Sequence, residues 1–171
     1  MKKSAIIAIL IWVLLAGPVM AMSKQERAEL EDQIRALDKD KVHKIVAAVE
    51  AEPLGEMAEA MRPALVLFFE PIHYTVCLDQ IGFLMEAEPK VLMNVFWQVV
   101  FSSGDFVLQH PEESADRLVY MQAGLEGALR VYERILVAKP KARNPKLDEL
   151  VRLRNDGHLD DYVRANPCDK K

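Results

Sequence analysis

PEESADRLVYMQAGLEGALRVYERILVAKP, residues 111–140, decides the fold. Two prolines bracket the stretch. Between them Leu118, Met121, Leu125, Leu129, Tyr132 and Leu136 recur at steps of three and four residues. That period places them on one face of an α-helix and offers no alternation that a strand could use. Acidic Glu112, Glu113 and Asp116 stand at the start and Lys139 at the end, each matched in sign to the helix dipole. The spacing predicts a helix over 112–139, opened by Pro111 and stopped by Pro140. Gly124 and Gly127 lie inside it, and each costs about 1 kcal/mol relative to alanine. Two compensations are open: another helix pressed close against the bare backbone, or a ligand lying there.

Downstream, Asn144-Pro145 has the cap-plus-first-turn spacing of a helix start, with Leu147, Leu150 and Val151 as its buried edge. Gly157 suits the position just past its end. A last short helix is expected over 158–165, with Leu159, Tyr162 and Val163 inward. Upstream, residues 64–108 form the most apolar region, and eight of the eleven aromatics after residue 21 lie between Phe68 and Phe106. Helices this apolar on all sides belong at the centre of a bundle. Glu70, Asp79, Glu86, Glu88 and Lys90 interrupt the region, so insertion in a membrane is not expected. Ser102-Ser-Gly-Asp105 reads as a turn or a break near a helix end. A helix from about Lys24 to Ala51 carries Asp38-Lys-Asp-Lys41 as a kink or split, and a short helix over 55–62 follows Pro53. No alternating strands and no hairpin turns occur. The chain is therefore expected to be all-α: a single compact bundle of about five to seven helices over residues 22–171.

Residues 1–21 have the pattern of a cleaved signal peptide. Lys2 and Lys3 precede an apolar run from Ala5 to Leu15, Gly17-Pro18 breaks it, and Val19-Met20-Ala21 offers a cleavage site. Export to the periplasm follows; secretion or an N-terminal membrane anchor are the alternatives. Of 22 basic and 26 acidic residues, cleavage leaves 20 and 26, a net charge of −6. That balance excludes a nucleic-acid binder, which needs a basic face. Two cysteines, Cys77 and Cys168, allow one intramolecular pairing in an oxidising compartment.

Catalytic signatures are absent: no G-x-S-x-G, no H-E-x-x-H and no phosphate loop. Asp40-x-x-His43 and Glu70-x-x-His73 have metal-ligand spacing. However, Asp40 and His43 fall on the solvent face of their helix, and Pro71 interrupts the second motif. No metal or cofactor is assigned, and a Ser103–His110–Asp105 triad has no support in the spacing. Three readings remain. The first is an exported, non-catalytic protein that binds another protein, in an inhibitor, immunity-type or accessory role. Its partner surface would be the basic segment carrying Arg143, Lys146, Arg152 and Arg154. The second is a carrier of a small apolar ligand, held near Phe68, Phe69, Tyr74, Trp97, Phe101, Gly124 and Gly127. The third is an enzyme using Glu70 and His73, which lie in an apolar neighbourhood where a buried carboxylate and imidazole would perturb each other; a helix end with a backbone or water partner is the ordinary setting for such residues.

Overall fold

The computed structural model describes residues 24–82 and 88–168. Residues 1–23, 83–87 and 169–171 lie outside the described residues, and with them the expected signal peptide and its cleavage site. Seven helices of more than one turn and one single turn are present, with no strands among the described residues. They are α1 (Lys24–Arg35), α2 (Lys39–Ala51), α3 (Glu56–Phe69), the single turn α4 (Leu78–Ile81), α5 (Pro89–Gln109), α6 (Arg117–Ala138), α7 (Pro145–Asn155) and α8 (Leu159–Ala165).

The expected long first helix is two helices. Asp38 caps α2 by accepting a hydrogen bond from the Lys41 backbone N–H at 3.0 Å, so the charged stretch starts a new helix. The expected short helix over 55–62 is instead the first half of α3, which runs through Pro63 to Phe69. Burial of Leu65, Phe68 and Phe69 beyond the proline sustains it. The central helix begins later than the sequence predicts. Residues 111–113 form one 3₁₀ turn, and Asp116 caps α6 through the N–H groups of Leu118 and Val119. Leu118 is consequently 37% exposed, outside the stripe it was assigned to. The buried face of α6 is broader, reaching from Tyr120 to Ile135.

The largest departure is at Ser102-Ser-Gly-Asp105, which continues α5 without a break. All four residues are buried. Ser103 faces Gly124 and Ser102 faces Gly127, so the residue numbers run in opposite directions and α5 and α6 pack antiparallel. A Cβ on Gly124 would lie 2.2 Å from the Ser103 hydroxyl and 2.9 Å from the Val99 carbonyl oxygen. A Cβ on Gly127 would lie 2.1 Å from the Ser102 hydroxyl. Small residues on both helices let the two backbones meet, and this contact is the axis of the fold.

Two apolar clusters flank that axis. One gathers α6, α7, α8 and the buried side of α5 around Met121, Leu125, Tyr132, Leu147 and Leu150. The other joins α1, α2 and α3 to Phe101 of α5. Tyr132 ties α6 to the start of α7: its hydroxyl accepts from the Asn144 N–H at 2.8 Å and donates to Asp148 at 3.0 Å. Asn144 in turn caps α7. Gly157 takes φ +78° just past α7, where the His158 N–H bonds the Leu153 carbonyl and the Gly157 N–H bonds that of Arg154. This paired arrangement at a left-handed residue is the reason glycine stands there.

Cys77 and Cys168 are joined by a disulfide that closes a span of 91 residues. Hydrogen bonds cross the same junction. The buried Gln80 amide donates to the carbonyls of Val163 and Asn166, and the Tyr162 hydroxyl donates to the Gln80 carbonyl at 2.9 Å. The tail is thus bound to the apolar centre covalently and by a polar clasp.

Candidate functional site

The five aromatics assigned to a pocket form a continuous chain of rings. Trp97 stacks on Phe101 at 5.8 Å between centroids, and Phe101 on Phe69 at 6.1 Å. Phe69 meets Phe68 and Tyr74 edge to face. The Tyr74 hydroxyl donates to the Val100 carbonyl at 3.0 Å, and burial pushes its pKa above the ordinary phenol value. Gly124 and Gly127 are apart from this chain, because their open faces are filled by α5.

The basic segment is tied up internally. Arg143 pairs with Asp148 at 3.1 Å, Lys146 with Glu149 at 2.7 Å and Arg152 with Asp156 at 3.2 Å. Arg154 grips Glu133 of α6 with two bonds of 3.0 Å. An open groove of about 600 Å³ between α6 and α7 includes Arg143 and Arg152, and Val137 on its edge is 84% exposed. Each of the four cations already faces a carboxylate, which leaves little field to steer a charged partner.

Glu70 and His73, expected in an apolar setting, are both exposed. Glu70 forms an ion pair with Arg35 at 3.1 Å. The helix-end setting is the one found: α3 ends at Phe69, and its last apolar residues turn inward ahead of the pair, so the burial that an active carboxylate and imidazole would need is not there. Nor does Asp105 meet His110. Its carboxylate accepts from or pairs with His43 Nδ1 at 2.7 Å, while His110 stacks on Phe106. The solvent-face reading of His43 is half right: its ring is 57% exposed yet reaches across from α2 to a carboxylate that is 12% exposed. Beside this pair, Arg130 of α6 grips Glu50 of α2 with two hydrogen bonds, and that bonding raises the Arg130 pKa. Together these pairs line a cleft of about 280 Å³. They join α2 to α5 and α6, and Ser103 stands away from them against Gly124. At the exposed end of α5, His110, Glu112 and Glu113 bring one ligand atom each within 4.8 Å of one another, the one such grouping among the described residues. Exposed acidic groups gather in this way without a metal, and neither Asp/Glu-x-x-His motif takes part.

A different surface is left open. Glu59, Arg62, Pro63 and Val66 of α3 face Met93, Asn94 and Trp97 of α5 across a groove of about 300 Å³. These residues recur at helical spacing, so each helix contributes one ridge. Met93 is 48% exposed, and Leu54, 39% exposed, lies next to Pro53 at the groove's end. The Arg62 guanidinium fixes that end by donating to the Pro53 carbonyl and to Asn94 Oδ1. Desolvation lowers the Arg62 pKa, and the charge of Glu59 opposes the shift. The segment Val91–Gln109 of α5 is long and apolar enough to cross a membrane. In this fold its Val95, Val99 and Phe101 are core residues, and Asp105 on the same helix is paired with His43.

No known protein family, curated protein or solved structure matches the chain.

Proposed function

We propose that the protein is exported to the periplasm and acts without catalysis, by binding another protein through the α3–α5 groove. One observation carries the reading. A long, strongly apolar helix leaves Met93 48% exposed beside a half-buried Trp97, and both face the ridge of α3 across an open groove. Exposed apolar surface with a polar rim is a common mark of a protein contact, and tryptophan and methionine are favoured there. The disulfide supports export, since such bonds persist in oxidising compartments. Compared with the ligand carrier, this reading needs no enclosed cavity. The rings meet one another face to face or edge to face, and the α3–α5 and α6–α7 grooves are open to solvent.

Native mass spectrometry of the chain, isolated gently from the exported fraction of its host, tests the proposal. The expected species lacks residues 1–21, is lighter than the reduced chain by the two protons of one disulfide, and travels in complex with a second polypeptide. A small-molecule mass lost on denaturation, with no polypeptide attached, would replace this reading with the ligand carrier.

A further inference from the structure

We infer that the α3–α5 groove takes an amphipathic helix of its partner, with apolar side chains on one face and lysine or arginine along the other. The inference rests on the protein-binding proposal and deepens it. The floor of the groove is apolar: Pro63 and Val66 from one ridge, Met93 and Trp97 from the other. Two roughly parallel ridges with a thioether and an indole between them suit the apolar stripe of a docked helix. A groove of about 300 Å³ is at the lower limit for a small-molecule site and accepts a side-chain stripe more readily than an enclosed ligand.

Charge decides between possible occupants. Glu56, Glu59, Arg62 and Val66 lie on the same face of α3 by their spacing. Glu52 precedes this helix and Glu88 precedes α5, and all four of these glutamates are exposed. None of them forms a salt bridge among the described residues, whereas the arginines of the α6–α7 side are all but neutralised. Arg62 is the described cation in the groove, and it is committed to the Pro53 carbonyl and Asn94. Lys90 also lies at this end of α5 in sequence. The lining itself carries Glu59 and Arg62, and the exposed Glu52, Glu56 and Glu88 add carboxylates where the two helices start, so the rim is acidic at that end and selects an apolar stripe flanked by cations. The same rim opposes an anionic bilayer surface. A second copy docking by the same face would set the two groups of carboxylates against each other.

The probe is a synthetic amphipathic helical peptide with leucine along one face and lysine along the other. Its twin carries glutamate for lysine. The full chain with Trp12→Phe leaves Trp97 as its one tryptophan, so its emission reports on the groove. The lysine peptide is expected to bind with a blue shift of Trp97, to weaken as salt rises, and to outbind the glutamate twin by about tenfold or more. Met93→Gln and Glu59→Gln are each expected to weaken it about tenfold. Both positions are at the surface, so folding is not at stake, and Asp160→Asn on α8 serves as the control with unchanged affinity. Equal binding of the two peptides, equal loss in the control, a Trp97 shift with anionic phosphatidylglycerol vesicles instead of peptide, or a dimer in solution that covers Trp97 would each overturn the inference. A polypeptide complex that survives in native mass spectrometry while the peptides show no preference removes this inference alone. Absence of any complex removes the protein-binding reading beneath it.

Discussion

Gly124→Ala is expected to destabilise the protein by about 1–3 kcal/mol, although alanine favours a helix interior by about 1 kcal/mol. The new methyl would lie 2.2 Å from the Ser103 hydroxyl and 2.9 Å from the Val99 carbonyl oxygen. Real Cβ atoms do not come so close, so α5 and α6 must part along their shared axis. Each kcal/mol lowers the thermal midpoint of a domain this size by about 2–4 °C. Ser103 offers an internal check. Its hydroxyl is buried with no hydrogen-bond partner, so Ser103→Ala by itself should cost little. In the Gly124→Ala background it removes the tighter clash and should restore part of the loss, but not all, because the Val99 carbonyl stays. A Gly124→Ala protein that melts above its parent would mean that α5 and α6 are not in this contact.

Opening the disulfide should cost more. Cross-linking a span of 91 residues removes enough chain entropy from the unfolded state to contribute about 4–5 kcal/mol, and measured values run from about 2 to 5. A Cys77→Ala, Cys168→Ala protein should therefore unfold at markedly lower denaturant concentration. The loss should be local as well as global. With the covalent tie gone, α8 is held by Leu159, Val163 and the Gln80–Tyr162 clasp, so amide exchange should rise first over residues 159–168. A fall of less than about 1 kcal/mol, or uniform exchange throughout, would show that the bond adds nothing beyond the packing already there.

How much of this was legible depends on the range over which a signal acts. The α6 period, the Asp38 break, the Asn144 cap and the Gly157 terminus are local, and each follows from residues within one or two turns. The disulfide followed from the cysteine count and the expected compartment alone. Ser102–Asp105 misled because serine, glycine and aspartate are turn formers when exposed. Here they are the thin side of a helix pressed against Gly124 and Gly127, and only the pairing of two distant segments reveals it. The glycines themselves carried the clue, since two of them inside one well-patterned helix already called for close packing. Pro63 misled for the opposite reason: tertiary burial of Leu65, Phe68 and Phe69 outweighs one missing backbone hydrogen bond.

The candidate surfaces divide in the same way. His43 with Asp105 and Glu50 with Arg130 are separated by 62 and 80 residues, and no local spacing encodes them. The basic segment was visible as composition, but the acids that neutralise it lie on α7 and across on α6. Trp97 stands out in the sequence as a candidate pocket aromatic, yet the ridge opposite it, Glu59 to Val66, carries no motif. Met93 gave the available hint, because a methionine on a helix apolar all round must either be buried or face something.

The most direct test of the α3–α5 groove as the contact surface is photocrosslinking in the host cell, with a photoreactive residue at Met93 and a matched control at Asp161 on α8. A discrete protein adduct from position 93 alone, lost when Glu56 and Glu59 are changed to lysine, is the expected result. Adducts of equal yield from both positions, or from Asp161 only, would contradict it.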